Sequence, residues 1–142
     1  MKVLAVSISQ TKGVVKENVP SATLKVDHGV ENDAHAGDWH RQVSLLANES
    51  IDKMRAEGLE LSSGDFAENI TTEGLDVPGM NVGDRLMIGE GAVLELTQIG
   101  KECHSGCAIM KTVGKCIMPT EGVFFKVLVP GEVRPGDKIE FA

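Results

Sequence analysis

The chain has 142 residues and a formal net charge of -7 at pH 7. A surface of that sign repels phosphate backbones, which excludes nucleic acid as the main partner, and a small anion would need a local cluster of Arg, Lys or backbone N–H groups. Hydrophobic residues make up 42% of the chain, enough for a globular fold, and the length fits one domain over residues 1–142 that needs no disulfide or metal to hold its core. The N-terminal run MKVLAVSISQTKG is too short and too interrupted for a membrane span, so a cytoplasmic protein without a membrane partner is expected. Its 3 cysteines are an odd number that a reducing cytosol keeps as thiols, which weighs against a disulfide between Cys103 and Cys107.

The 16 glycines, with short apolar runs between them, favour many short strands. In chain order, the alternation predicts strands at residues 2–9 and 22–27. A helix follows at residues 49–57, with Asn48 as its cap, Glu49 in the first turn and Gly58 as its stop. Residues 85–88 and 92–99 flank the turn signal GEG and read as a hairpin. Residues 123–129 form the most apolar strand, closed by Pro130 and Gly131, and residues 138–141 the last. A second short helix is expected at residues 107–113. VGDRLMI at 82–88 resembles RPGDKIEF at 134–141, a Gly-Asp turn used twice before an alternating strand. The sum is a mostly β domain with a few short helices, read as a closed β-barrel.

Three stretches carry chemistry-bearing side chains. GVENDAHAGDWHRQVSLL, residues 29–46, packs His35, His40, Arg41 and the only Trp into a loop ahead of a strand. It reads either as a loop that folds against a ligand or as a solvated surface loop. In SGDFAENITTEGLD, residues 63–76, a continuous strand puts Glu68, Ile70 and Thr72 on one face and Asn69 and Thr71 on the other. That is a polar binding face or an edge strand with a wet face. IGKECHSGCAIMKTVGKC, residues 99–116, holds all three cysteines. Lys101 and His104 are cations beside Cys103 and favour its thiolate, the form that binds a metal or accepts sulfur. A structural zinc on Cys103, His104, Cys107 and Cys116 is the alternative, although the two C-x-x-C pairs of a strong zinc signature are missing. Cys116, beside Ile117 and Met118, reads as a small core hydrophobe.

Together, HAGDWHRQVSLL, GDFAENITTEGL, VGDRLMIG and IGKEC, in that order, with PGDKIEF at the end, resemble the MOSC family, named for the C-terminal domain of molybdenum cofactor sulfurase. The resemblance implies a β-barrel of the pyruvate-kinase barrel-like type and one key cysteine, which falls on Cys103. In the family this thiol carries sulfur or coordinates molybdenum in the pterin cofactor, and cofactor-binding members reduce N-hydroxylated compounds. The polar pocket carries over onto His35 and Arg41, and onto Glu68, Asn69, Thr71 and Thr72. Arg41, Arg85 or Lys101 would meet the pterin phosphate. The expected function is a molybdenum-cofactor-linked sulfur carrier or cofactor-binding protein. Cys103 is then persulfide acceptor or molybdenum ligand, and Cys107 a resolving thiol that releases the sulfur by forming a disulfide. A stand-alone reductase of N-hydroxylated compounds is a further alternative. The implied partners are a sulfur donor of the cysteine desulfurase type, a pyridoxal phosphate enzyme, or molybdenum-cofactor biosynthesis proteins. Two departures from the family pattern stand out: no counterpart of the extra N-terminal β domain of larger members, and the continuation HSGC after Cys103.

Overall fold

The computed structural model describes residues 1–12, 14–100 and 117–142. The expected helix at 107–113 and the candidates Lys101, Cys103, His104, Cys107 and Cys116 lie outside the described residues.

The fold is mostly β. Its strands are β1 (Lys2–Ile8), β2 (Glu17–Val19), β3 (Ala22–Lys25), β4 (Gly29–Val30), β5 (Val43–Ala47), β6 (Ile70–Glu73), β7 (Arg85–Ile88), β8 (Ala92–Ile99), β9 (Val123–Val129), β10 (Gly131–Val133) and β11 (Ile139–Phe141). The helices are α1 (Asn48–Arg55) and the single turn α2 (Met118–Glu121), with a 3₁₀ turn at Val77–Gly79. Eight strands form one sheet in the order β11-β7-β8-β9-β5-β6-β1-β2, and β10-β3-β4 form a second.

β5 is the central element. It pairs antiparallel with β9 and parallel with β6, and all five of its residues are buried. A strand covered on both faces needs a continuous apolar or small-residue run, which VSLLA supplies. The main core, which includes Val3, Leu45, Ile70, Leu94 and Phe125, lies on one face of the sheet. On the other, α1 packs Ile51 and Met54 into a smaller cluster with Leu46, Phe66, Ala67, Ile117, Met118 and Phe124.

The expected barrel does not close as a continuous ladder. β11 and β1 meet through one isolated bridge, Lys2 to Lys138, extended by the bonds Val3 N–H to Asp137 O and Ile139 N–H to Met1 O. The physical reason is register: the bridge joins the first residue of β1 to the residue just before β11, so the two strands overlap only at their ends. Two smaller corrections follow. The helix is capped by Ala47 without a side-chain hydrogen bond, and Asn48 is its first residue, its Oδ1 accepting from Arg55 Nη1 at 2.8 Å. The strand expected through residues 68–72 begins only at Ile70, because Ala67 has the left-handed φ of 66° and turns the chain just before it.

The repeated Gly-Asp theme is one turn built twice. Asp84 Oδ2 accepts the Asn81 N–H and Asp137 Oδ2 accepts the Arg134 N–H, both at 2.8 Å. The strands that leave these turns, β7 and β11, pair with each other.

Candidate functional site

The loop that carries the first candidates is held at both ends. Gln42 is buried and its Oε1 accepts the Val127 N–H at 2.9 Å, which fixes the exit into β5. At the other end stands a buried ionic cluster. Lys16 Nζ donates to Asp33 Oδ1 at 2.8 Å, to Ser9 Oγ at 2.9 Å and to His35 Nδ1 at 3.1 Å. Asp33 also accepts the Ser9 N–H on Oδ1 and the His35 N–H on Oδ2, each at 3.0 Å. Burial alone would push the Asp33 carboxyl up. The Lys16 hydrogen bond and charge, with the backbone N–H groups of Ser9 and His35, outweigh it and hold the group well below the usual carboxylate range.

Between these anchors Trp39 forms the middle of a cationic stack. Its Nε1 donates to His35 O at 2.8 Å, which orients the ring. Arg41 Cζ lies 4.6 Å from the Trp39 ring centre and 5.6 Å from that of Phe124, and Lys12 Nζ lies 5.2 Å from Trp39. Arg41 Nε is buried without a hydrogen-bond partner, and no carboxylate among the described residues pairs with the guanidinium. Aromatic faces stabilise a cation without neutralising it, so the donors remain available to an anion. Against a net charge of -7 this is the local positive cluster that an anionic ligand requires.

A bulge in β8 supports the same loop. The register between β8 and β9 shifts between Leu96 and Gln98, leaving Thr97 as the extra residue. Its hydroxyl sits between His40 O and Phe124 O, with one hydrogen to give to either, and His40 Nε2 donates to Gln98 Oε1 at 2.7 Å.

The second stretch is buried from Phe66 to Thr72. Asn69 ties three strands together: Oδ1 accepts the Ser44 N–H at 3.0 Å and Ser44 Oγ at 3.1 Å, while Nδ2 donates to Ser7 O at 3.1 Å. Glu68 Oε2 accepts the Thr71 hydroxyl at 2.9 Å and Oε1 the Phe66 N–H at 3.2 Å. The turn at Ala67 is what brings Glu68 and Thr71 together, although a continuous strand would put them on opposite faces. Burial pushes the Glu68 carboxyl up, only partly offset by the N–H groups of Gly64, Glu68 and Phe66 and by Thr71. Thr72 Oγ1 is buried without a partner.

The structure therefore brings His35 and Arg41 both against Trp39, the first through its carbonyl and the second over the ring, and links Asn69 to the ionic cluster through the end of β1, where Ser7 and Ser9 are two residues apart. Gly64 connects the stretches more closely. Its carbonyl accepts the Lys16 N–H at 2.8 Å, and a Cβ at Gly64 would lie 2.4 Å from Lys16 O. Arg85 takes no part in the Trp39 stack; it forms an exposed ion pair with Glu95 at 3.3 Å. Three concavities among the described residues have other linings, including one of about 490 Å³ beside Glu90, Val129, Glu132 and Arg134. Among the described residues no group of three or more His, Cys, Asp or Glu side chains is placed to hold a metal ion. No described helix is long and apolar enough to cross a membrane. Lys16, Ser9 and Asp33 were not singled out from sequence; their partners are 7 to 24 residues apart, and no local pattern marks them.

A mostly β sheet with a cationic, aromatic-lined loop and a buried polar seam defines the class. The family model of the MOSC domain matches residues 32–140, and the chain belongs to that family. MOSC domains are associated with the molybdenum cofactor, and the chain belongs to that functional setting. Among solved structures it is similar to the YuaD protein of Bacillus subtilis, with TM-score 0.78 and 18% identity, covering 97% of this chain and 93% of that one. It is also similar to YiiM of Geobacillus stearothermophilus, with TM-score 0.74, 17% identity and coverage of 99% and 74%. YiiM of Escherichia coli gives TM-score 0.71, 19% identity and coverage of 100% and 70%. At these identities the likeness concerns the fold. No curated protein matches the chain.

The residues present fit a phosphate-bearing cofactor. The orphaned Arg41 Nε and the unpaired guanidinium are donors in want of an anion, and Thr72 Oγ1 is a second unsatisfied polar atom.

Proposed function

We propose that the protein binds the molybdenum cofactor, with Arg41 meeting the phosphate and Cys103 supplying the thiolate. The observation that carries this reading is the Arg41 guanidinium held over Trp39 and beside Phe124 with no carboxylate partner among the described residues. A guanidinium in that setting offers a fork of N–H donors that matches phosphate oxygens. Its neighbourhood also supports a role for the cysteine segment. Ile117, the first described residue after that segment, packs in the same cluster as Phe124 and Phe66. Gly100, the last before it, donates its N–H to Gly122 O at 2.7 Å, one residue before β9 begins. One flank of residues 101–116 thus packs with Phe124 and the other lies at the start of β9.

In this reading His35 and Arg41 hold the anionic end of the cofactor, while Glu68, Asn69 and Thr71 keep β1, β5 and β6 in place beneath them. The bound cofactor supplies redox or sulfur chemistry at molybdenum, for which a soft thiolate is a suitable ligand. The same thiolate suits a sulfur carrier: Cys103 holds the terminal sulfur of a persulfide, and attack by the Cys107 thiolate forms a disulfide and releases hydrosulfide.

Protein isolated without its ligand and incubated with purified molybdenum cofactor tests the proposal, with pterin fluorescence followed through gel filtration. Wild type retains the pterin, and Arg41→Ala retains roughly tenfold less at equal protein concentration, as expected for the loss of a charge-assisted contact. Equal retention by both proteins, or none by wild type, removes the proposal. Mass spectrometry of protein prepared without reductant separates the carrier mode, through an added sulfur on Cys103.

A further inference from the structure

We propose that Lys16 is a positioning residue for His35. Its buried ammonium fixes the imidazole in the tautomer with the hydrogen on Nε2, so that the ring offers a donor to a bound oxyanion. The proposal rests on the anion-site reading above and assigns a role to a cluster that reading did not use.

The geometry leaves little freedom. Lys16 Nζ lies 3.1 Å from His35 Nδ1, and an ammonium has only hydrogens to give, so Nδ1 accepts with its lone pair and the ring hydrogen is on Nε2. Asp33 competes for the same nitrogen. Its Oδ2 is 3.7 Å from Nδ1, and without Lys16 the carboxylate would draw a hydrogen onto Nδ1. Lys16 prevents this by engaging Asp33 Oδ1 at 2.8 Å while occupying the Nδ1 side itself.

The main chain of His35 is held on both sides, its N–H by Asp33 Oδ2 at 3.0 Å and its carbonyl by Trp39 Nε1 at 2.8 Å, which fixes the backbone from which the ring reaches Lys16. The Lys16 and Asp33 side chains are 0% exposed and that of His35 is 15% exposed, so of the three only the imidazole reaches solvent. Nε2 lies across the ring from the nitrogen that Lys16 engages, in a residue of the loop that carries Arg41. The close approach of Lys16 to Gly64 sets the depth from which the ammonium acts, since any side chain at Gly64 would push it away.

Long-range proton–nitrogen correlation spectra of uniformly labelled protein near neutral pH read the tautomer directly, with His35→Gln assigning the signals. Wild type is expected to show His35 as a single Nε2–H ring. Lys16→Met is expected to move it to the Nδ1–H form against Asp33. The double variant Lys16→Met/Asp33→Asn, which leaves no buried charge behind, is expected to give a mixture. An Nδ1–H ring in wild type, or a pure Nε2–H ring in either folded variant, overturns the proposal.

Titration of the same samples with inorganic phosphate separates the two claims. Binding to wild type that weakens roughly tenfold in both Lys16→Met and His35→Gln supports the donor role, as expected for one lost hydrogen bond to a charged group. A tautomer flip without phosphate binding by wild type upholds the lock and refutes the anion site. Phosphate binding that Lys16→Met leaves unchanged refutes the lock's role and keeps the site.

Discussion

Lys16 Nζ lies 2.8 Å from Asp33 Oδ1 with both side chains shut off from solvent, so neither charge has water to fall back on. Removing one partner of such a pair leaves an uncompensated buried charge, which costs about 3–5 kcal/mol. Asp33→Ala is therefore expected to lower the unfolding free energy by about that amount, measured from urea midpoints and slopes. The exposed pair Arg85–Glu95 is the control: Arg85→Ala should cost about 1 kcal/mol or less.

Asp33 and Glu68 give pH dependences of opposite sign. The folded Asp33 carboxyl is held below its ordinary range, so the unfolded chain binds more protons. Its contribution to stability is complete above about pH 4, the ordinary carboxylate pKa, and is lost as the pH falls below it. Glu68 is pushed up, so its contribution is complete below the ordinary Glu pKa of about 4.3 and is lost as the pH rises through the folded value. Glu68→Gln can keep both contacts, Oε1 accepting from Phe66 and the amide donating to Thr71, and it carries no charge to bury. Urea unfolding from acid to mildly alkaline pH should show the alkaline-side loss in wild type reduced in Glu68→Gln; equal slopes would contradict the assignment.

Asn69 and Arg41 were candidates of equal standing in the sequence, and their surroundings separate them. Asn69→Ala removes the group that joins Ser7 and Ser44, and each buried partner left unsatisfied costs about 1–3 kcal/mol. Arg41→Ala removes aromatic packing but no hydrogen bond or ion pair among the described residues, so its stability change should be about 1 kcal/mol. Thermal unfolding of the two variants is expected to show a large drop for the first and a small one for the second.

Why some of this was legible in the sequence is a matter of range. The hairpin of β7 and β8, the strand β9 and the repeated turn are written in neighbouring residues: GEG between alternating runs, an apolar stretch interrupted only by Lys126, and Gly-Asp ahead of each strand. The ordered motifs of all three stretches, with VGDRLMIG and PGDKIEF, likewise pointed to the family. Lys16 carries no such mark, because a lone Lys between Val15 and Glu17 looks like any exposed cation until the fold brings Asp33 and His35 onto it. The face shared by Glu68 and Thr71 was hidden for a related reason: one left-handed residue, Ala67, cancels the alternation that a strand would impose. The barrel reading does not hold as a continuous ladder, because β1 and β11 overlap only at their ends, a register that no local pattern marks.

The cysteines are expected to separate in order. Cys103→Ser should abolish sulfur loading or cofactor retention with the fold intact, since a hydroxyl is near a thiol in size but is neither a soft ligand nor a persulfide acceptor. Cys107→Ser should chiefly slow sulfur release, and Cys116→Ser should leave function unchanged while costing some stability. Persulfide labelling and melting temperatures of the three variants check the order. A joint fall in melting temperature with loss of bound zinc in all three would mean a structural metal site.

Metal and pterin content bears most directly on cofactor binding through Arg41 and Cys103. Wild type, Arg41→Ala and Cys103→Ser would be purified without oxygen from a host that makes the molybdenum cofactor. The expected result is molybdenum and pterin together in wild type, both reduced roughly tenfold in Arg41→Ala, and molybdenum lost in Cys103→Ser. One equivalent of zinc with neither molybdenum nor pterin in wild type, lost when Cys103 is replaced, would contradict it.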